Sequence, residues 1–335
     1  MRDAPAPLIL AADDPAAADR AAALLARDAL VAMPTETVYG LCGRAASDAA
    51  VAAIYAAKGR PARNPLIVHG ADLAAILAVC DLGPAARRLA ERFWPGPLTI
   101  VAPRRPGAAV SRLASAGGDT LAVRVPALEP FRSVAARVGP IVAPSANRSG
   151  RVSATSAAAV AEELGDRVAL VIDGGPSPIG VESTVVAMLD TPRILRPGAI
   201  SAAEIEAVVG PLAAGPGAAE PGPLASPGLL ASHYAPRARL RLDVAAADVG
   251  ADEGWLAFGD EPSAAPEART VRLSPSRDLD EAARGLYAGL RALDATGVAV
   301  IAVSSIPDEG IGAAIRDRLA RDAAPRPEGR PGRGS

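Results

Sequence analysis

The chain has 335 residues, more than one ordinary hydrophobic core organises, which predicts two domains of unequal size. Apolar residues make up 50% of the chain and aromatic residues only 3%, so the composition is globular and the core is built from small side chains. The 35 basic and 37 acidic residues nearly cancel, which excludes the strong positive field of a protein that binds nucleic acid through its phosphates alone. Any contact with RNA must be local.

Cysteine usage and hydropathy exclude further classes of protein. Cys42 and Cys80 are far apart and neither has a zinc-type spacing, which argues against a structural metal site or a disulfide framework. The first ten residues carry Arg2 and Asp3 with only a short apolar run, which predicts neither a secretory signal nor a membrane span. We therefore expect a cytoplasmic protein with no membrane contact.

Helical and strand patterns alternate through the first 210 residues, which indicates a mixed α/β domain with a large twisted sheet. The strands are expected at 30–33, 66–68, 98–101, 121–125, 141–143, 169–172, 184–187 and 193–195. The helices are expected at 16–29, 48–57, 72–79, 84–92 and 156–164, and a last helix follows a capping box formed by Ser201 and Glu204.

A change in composition marks the domain boundary. Residues 1–212 form the predicted first domain, and 213–237 are a linker rich in proline and glycine that is expected to cross the pocket. Strands at 238–244, 255–258 and 298–303 alternate with helices at 279–293 and 311–319, which predicts a smaller, doubly wound Rossmann-like domain over 238–322. Residues 323–335 are expected to be disordered.

Two segments of the first domain combine polar side chains with a stiff backbone. Residues 34–41 (PTETVYGL) place two hydroxyls, a carboxylate and a phenol directly after a buried strand, where α/β proteins bind ligands. Residues 58–69 (KGRPARNPLIVH) place three cations, two prolines and a glycine within eight residues. Because proline fixes the backbone, the cations are held in place and suit a phosphate or a carboxylate. The alternatives are a capped loop and a solvated basic turn.

Four further segments are less specific taken singly. Arg124 ends a strand and requires an anionic partner, either a ligand or a structural aspartate. Residues 144–150 (PSANRSG) follow a strand and precede a helix, where backbone amides favour anions, although ordinary turn chemistry also explains them. The polar turns 182–184 (EST) and 196–198 (RPG) complete the set, and the order and spacing of all these segments carry the information.

In order and spacing, these segments resemble the YrdC-type domain of the L-threonylcarbamoyladenylate synthases. The resemblance rests on PTETVYGL, on KGRPARNPL, on WPGPLT at 94–99, on the Arg-x-Pro that begins at Arg124, on PSAN and on the Ser-Thr-Val that begins at Ser183. Beyond it, 226–228 (SPG) and 233–236 (HYAP) resemble the linker of the longer, two-domain members. Residues 309–319 resemble the end of their second domain. The linker departs from the family pattern in one respect, because the basic residues that usually precede the His-Tyr pair are missing here.

The resemblance implies an enzyme that makes threonylcarbamoyl-AMP and pyrophosphate from L-threonine, bicarbonate or CO2, and ATP accompanied by Mg²⁺. Lys58 and Arg60 would be catalytic, and no carboxylate stands out as a metal ligand. The residues that would hold L-threonine are Thr37, His69, Arg124, Ala143 and Ser183, with Lys58 beside them. The residues that would hold ATP are Arg60, Asn64, Thr120, Ser145, Ser153, Arg196 and Tyr234.

The implied product serves the threonylcarbamoyladenosine modification of tRNA that reads ANN codons, so the expected partners are the downstream transfer machinery and, weakly, tRNA. The second domain is expected to gate the pocket through the linker and Tyr234. One alternative is a double-stranded RNA-binding module without adenylating activity, which would need a contiguous basic patch. Another is a carbamoyl-adenylate domain of the hydrogenase-maturation type, whose zinc-finger cysteines and acylphosphatase module this chain lacks.

Overall fold

A computed structural model describes residues 7–213 and 236–324, which carry two separate β-sheets. The strands of the larger sheet are β1 (Leu8–Ala11), β2 (Val31–Met33), β3 (Gly40–Arg44), β4 (Ile67–His69), β5 (Leu98–Pro103), β6 (Thr120–Arg124), β7 (Ile141–Val142), β8 (Leu170–Asp173), β9 (Thr184–Ala187) and β10 (Arg193–Arg196). The helices that accompany it are α1 (Ala17–Ala26), α2 (Asp48–Lys58), α3 (Leu73–Leu77), α4 (Pro84–Phe93), α5 (Glu129–Val138), α6 (Ala157–Leu164) and α7 (Ala202–Val209).

The larger sheet is mixed, with the strand order β1-β8-β2-β3-β7-β4-β6-β5-β9-β10. Strands β4 and β6 run parallel at its centre, and their register places His69 beside Arg124. Because side chains alternate along a strand, Ile67 and Ala122 face the same side as these two polar residues. They join Val101, Val185 and Leu195 in a small apolar cluster, which gives the polar side chains a rigid floor.

Helices cover the larger sheet unevenly. Helices α1 and α5 pack against each other, and side chains from both lie in one cluster with residues of β2, β3 and β8. Helices α2, α4, α6 and α7 contribute to the main core on the other face. The half of the sheet around β4, β6 and β9 therefore keeps part of one face free of helices, and the polar cleft lies there.

The smaller sheet belongs to the second domain and is entirely parallel. Its elements are β11 (Arg239–Arg241), β12 (Gly254–Phe258), β13 (Thr270–Ser274), α8 (Leu279–Ala295), β14 (Val300–Val303) and α9 (Gly312–Ala323), with the strand order β11-β14-β12-β13. Leucine, isoleucine and alanine side chains of both helices share one apolar cluster with β12 and β14. That cluster also contains Val38, Val152 and Val181 of the first domain, so the two domains are packed together through apolar contacts.

Most elements are where the sequence pattern predicted them, and the predicted fold class is confirmed. The capping box is present, since Ser201 and Glu204 bond each other's backbone amides. Four elements were not predicted: β1, β3, α5 and β13. Strand β3 begins and nearly ends with glycine, a poor strand former, while α5 has proline in its first turn, a position that suits a helix start.

The C-terminal helix and the linker differ in how far the structure describes them. Helix α9 continues to Ala323, so the expected disordered tail does not begin at residue 323, and residues 325–335 lie outside the described residues. The linker 213–237 lies largely outside the described residues, and the proposed domain boundary stays a prediction. Within the described ranges, no helix is long and apolar enough to cross a membrane.

Candidate active site

Segments that are distant in the chain meet in one cleft on the larger sheet. They are the loop after β2, the ends of β4, β6 and β10, the segment after β7 and the turn before β9. The residues that line the cleft are Thr35, Thr37, Val38, Tyr39, Gly40, Arg60, Ile67, His69, Arg124, Ala143, Pro144, Ser145, Glu182, Ser183 and Arg196. All six polar segments that the sequence analysis singled out in the first domain thus contribute to a single site.

The cleft brings together most of the residues predicted for the site. Those in its lining are Thr37, Arg60, His69, Arg124, Ala143, Ser145, Ser183 and Arg196. Lys58, Asn64, Thr120 and Ser153 do not belong to the lining, and Tyr234 lies outside the described residues. The assignment of each residue to threonine or to ATP stays a prediction.

Arg124 is the buried cation at the centre of the cleft. Its Nε donates to the carbonyl oxygen of Gly96 at 3.1 Å, and one terminal nitrogen donates to the hydroxyl of Thr37 at 2.9 Å. The other terminal nitrogen is 2.6 Å from one carboxylate oxygen of Glu36, and the second carboxylate oxygen accepts from the amide of Ala127 at 2.9 Å. The structural anion beside Arg124 is therefore a glutamate of the PTETVYGL segment and not an aspartate.

His69 is the buried imidazole next to Arg124. Its ring is tilted against Phe131 with the ring centres 5.2 Å apart, and its Nδ1 is 3.2 Å from the carbonyl oxygen of Ile67. Burial and the nearby charge of Arg124 lower the pKa of His69 to about 3. The imidazole is therefore neutral at physiological pH and is suited to hydrogen bonding and packing.

A test of this state is an imidazole NMR titration of the folded chain from pH 8 to pH 5. We expect the resonances of His69 to stay at their neutral positions, because the folded-state pKa lies far below this range. His233 is the only other histidine, so a His69→Gln variant assigns the signals. A midpoint for His69 above pH 5 would show that its environment is less apolar than described.

Ser183 and Arg196 form the opposite wall. Arg196 donates from Nε and a terminal nitrogen to the carbonyl oxygen of Ser183, at 3.1 and 3.0 Å, and also to its hydroxyl at 3.1 Å. The same hydroxyl is 2.8 Å from that of Thr99. These contacts fix a buried guanidinium, 3% exposed, at the end of β10, so the wall is preorganised for an anion.

Lys58, the only lysine of the chain, ends α2 beneath the PSAN loop. Its ammonium donates to the carbonyl oxygens of Ser145 and Asn147, and its own carbonyl accepts from the amide of Ser149 at 2.7 Å. Burial and the charge of Arg60 hold its pKa well below the usual value. Lys58 therefore joins α2 to the loop that supplies Ser145, and it lies behind this loop instead of in the cleft lining.

The KGRPARNPL segment folds back on itself through Arg60. Arg60 donates to the carbonyl oxygens of Asn64 and Pro65, at 3.2 and 3.0 Å. The side chain of Asn64 is completely buried, yet neither amide atom has a partner among the described residues. Since a buried polar group without a partner is costly, this amide is suited to a ligand that brings its own donors and acceptors.

Two residues predicted for ATP have other surroundings. Thr120 begins β6, where it pairs with Pro103, and is only half-buried. Ser153 is fully buried, and its hydroxyl donates to a carboxylate oxygen of Glu182 at 2.7 Å. In this conformation neither side chain is in the cleft lining.

Several residues at the cleft were not among the predicted site residues. Glu36 holds Arg124, and Glu182 and Tyr39 belong to the lining. Glu36 and Tyr39 are part of the PTETVYGL segment, which gave the signal without the role. The hydroxyl of Tyr39 bonds the carbonyl oxygen of Gly175 at 2.7 Å, a contact across the fold that no local pattern reveals.

The described residues do not form a metal site made by the protein. They contain no group of three or more histidine, cysteine, aspartate or glutamate side chains that could hold an ion. The two carboxylates of the cleft region, Glu36 and Glu182, are each paired with an arginine. Such carboxylates are poor candidates for additional cation ligands.

The fold and the cleft define a two-domain α/β protein with a buried, cation-lined ligand site. A model of the telomere recombination family (Sua5, YciO and YrdC) matches residues 23–198, and a model of the threonylcarbamoyl-AMP synthase C-terminal domain matches residues 200–324. Threonylcarbamoyl-AMP synthase of Bacillus subtilis is 41% identical over 95% of each chain. That of Pyrococcus abyssi is 38% identical over 89% of this chain and 92% of its own. The chain belongs to the threonylcarbamoyl-AMP synthase family, in its two-domain form.

Solved structures agree with this assignment. Sua5 of P. abyssi complexed with L-threonine has a TM-score of 0.83 at 37% identity and covers 91% of this chain and 94% of its own. A variant of the same protein, with a histidine and the adjacent tyrosine replaced by alanine, has a TM-score of 0.84 at 34% identity, covering 95% and 96%. The resemblance drawn from the motifs is thereby confirmed.

Proposed function

We propose that this chain is a nucleotidyltransferase that joins L-threonine, bicarbonate or CO2, and ATP into L-threonylcarbamoyladenylate and pyrophosphate. The observation that carries the proposal is that His69 and Arg124 lie side by side on the parallel central strands β4 and β6. Arg60 and Arg196 line the same cleft. One cleft thus has a place for a carboxylate and places for phosphates. The relatives named as threonylcarbamoyl-AMP synthases and the threonine complex of P. abyssi Sua5 support it.

Threonine is assigned to the Arg124 side of the cleft. Arg124 uses one N–H for each of Gly96, Thr37 and Glu36, which leaves guanidinium N–H groups for a substrate carboxylate. His69, neutral and buried, packs beside it without adding charge. Ala143 is small enough for the substrate to approach the sheet, and Ser183 offers a hydroxyl from the facing wall.

ATP is assigned to the side formed by Arg60, Ser145 and Arg196. The unpartnered amide of Asn64, next to Arg60, has the donors and acceptors to match polar atoms of a nucleotide. Thr120, Ser153 and Tyr234 complete the predicted set. Ser153 reaches the nucleotide in this proposal only through a change in its present contact with Glu182.

The reaction has two steps in this proposal. The threonine amine adds to CO2 and loses a proton, which gives a carbamate. A carbamate oxygen then attacks the α-phosphorus of ATP and forms a new P–O bond. The bond between the α-phosphorus and the oxygen that bridges it to the β-phosphate breaks, and pyrophosphate leaves with that oxygen. Such transfers depend on positioning and charge stabilisation. Lys58 and Arg60 supply both, since Lys58 orders the loop of Ser145 and Arg60 lines the cleft.

Mg²⁺ enters this scheme together with the ATP substrate. The product passes to the machinery that transfers threonylcarbamoyl to tRNA that reads ANN codons, and a weak contact with tRNA belongs to the same hypothesis. We place this activity in the cytoplasm, where tRNA is modified.

The experiment that tests the proposal is incubation of the purified chain with ATP, magnesium, bicarbonate and either L-threonine, L-serine or no amino acid. Pyrophosphate release and the adenylate are followed together. Adenylate that forms with threonine and depends on bicarbonate supports the proposal. A folded chain that binds double-stranded RNA but forms no adenylate would favour the binding-module alternative instead.

A further inference from the structure

Glu182 is a buried carboxylate in the lining of the cleft, and both of its oxygens are held. One oxygen accepts from Ser153 of the first domain at 2.7 Å. The other accepts from the hydroxyl of Tyr287 at 2.8 Å and from Nε of Arg318 at 2.7 Å, and both of these residues belong to the second domain. A residue of the cleft lining, in contact with Ser153 of the proposed nucleotide site, is therefore fixed by groups from another domain.

The ion pair between Glu182 and Arg318 is almost completely shielded from solvent, so a charge left without its partner there would be costly. The side chain of Arg318 is 0% exposed and that of Glu182 is 6% exposed. Burial opposes the ionisation of Glu182, but the charges of Arg318 and Arg196 and the hydrogen bonds from Arg318 and Ser153 outweigh it and hold its pKa at about 2. Glu182 is thus an anion whose countercharge comes in large part from the second domain.

Other carboxyl groups also face Arg318. Asp317 pairs with Arg318 and with Arg321. Asp322 is buried, its oxygens have no partner among the described residues, and burial together with the charge of Glu182 raises its pKa well above the usual value. Burial thus disfavours the charged form of Asp322, which limits its competition with Glu182 for the charge of Arg318.

The surrounding contacts make this arrangement depend on the docking of the domains. Arg318 also donates to the carbonyl oxygen of Pro197 at 3.0 Å, directly after Arg196. Gly180 has a φ of 84°, and a Cβ at this position would lie 2.4 Å from the carbonyl oxygen of Ala283 in α8. The backbones of the two domains therefore meet next to Glu182.

From these contacts we propose that Arg318 and Tyr287 are positioning residues for the nucleotide cleft, which binds its polyanionic ligand only while the docked second domain neutralises Glu182. An uncompensated carboxylate in the lining would repel phosphates and would draw Arg196 toward itself. Separation of the domains would then weaken the hold on anions. By linkage, a bound anion favours the docked state to the same extent.

This inference rests on the proposed ATP site, and its test is calorimetric titration of the full chain with ATP in the absence of threonine. Arg318→Met is expected to weaken ATP binding by about ten- to a hundredfold. Adding Glu182→Gln to Arg318→Met removes the unbalanced charge and should restore most of the lost affinity, which a purely structural role would not do. Arg316→Met is the matched control, since Arg316 is in the same helix but pairs with Asp243.

Two other variants test the same inference by ATP binding if Arg318→Met does not fold. Tyr287→Phe removes one hydroxyl and is expected to weaken ATP binding by about three- to tenfold, and Gly180→Ala, which forces the backbones apart, should have a larger effect. Folded variants that bind ATP as the wild type does would overturn the inference and leave the proposed function intact. A double variant weaker than Arg318→Met would also overturn it. Wild-type protein that binds no ATP would instead contradict the proposed function.

Discussion

Lys58→Met is expected to lower the rate of adenylate formation by about a thousandfold, the scale of losing a charged group that orders a phosphoryl-transfer site. Methionine keeps the length of the side chain but cannot donate to the carbonyl oxygens of Ser145 and Asn147. The loop that supplies Ser145 would lose its anchor. The measurement is the initial rate of threonine-dependent pyrophosphate release.

The control for this variant is Arg167→Met. Arg167 lies near Lys58, donates to the carbonyl oxygen of Ala57 at 3.1 Å and is exposed. We expect it to retain nearly full activity. Equal losses in the two variants would mean that the effect of Lys58 comes from the end of α2 as a whole.

Arg124→Lys is expected to raise the KM for threonine by about a hundredfold while ATP affinity stays nearly constant. Lysine keeps the charge but cannot reproduce the planar fork that contacts Gly96, Thr37 and Glu36 together and still present N–H groups to a carboxylate. The measurement is steady-state kinetics with threonine and ATP varied separately.

Arg44→Lys is the matched control for the second variant. Arg44 also ends a strand and pairs with a carboxylate, that of Asp28 at 2.8 Å, but it lies outside the cleft. Its kinetics should match those of the wild type. If Arg124→Lys raised the KM for ATP as much as that for threonine, the assignment of Arg124 to the threonine side would be wrong.

The order of the motifs was sufficient to predict the cleft, because each motif follows or precedes a strand whose end lies at the site. His69 and Arg124 show why this works: both end short central strands, and parallel pairing then brings them together. Strand β3 shows where local pattern fails. Its sequence, GLCGR, contains two glycines, and its pairing with β2 and β7 comes from tertiary contacts.

The role of Glu182 could not be predicted from the sequence for a related reason. Its partners Tyr287 and Arg318 are 105 and 136 residues away in the chain. Nothing near Tyr287 or Arg318 distinguishes them from ordinary residues of an amphipathic helix. Only the packing of α8 and α9 against the first domain shows that they hold a residue of the cleft.

The pairing of Glu36 with Arg124 is an intermediate case. The sequence indicated that Arg124 needs an anion, but it could not identify which one, since the two residues are 88 positions apart. The structure shows that an internal carboxylate, that of Glu36, takes one terminal nitrogen of this guanidinium. Glu36 thereby fixes the orientation of Arg124 before any ligand arrives.

If this chain builds a carbamoyl adenylate from three substrates, the carbon of bicarbonate must end in the product, and isotope labelling follows it. The wild-type chain is supplied with carbon-13 bicarbonate, L-threonine, ATP and magnesium, and the products are separated and weighed by mass spectrometry. We expect an adenylate that contains threonine and carries the label in its carbamoyl group, and we expect no such product when threonine is omitted. Adenylate without the label, or no adenylate from a folded and ATP-bound chain, would contradict it.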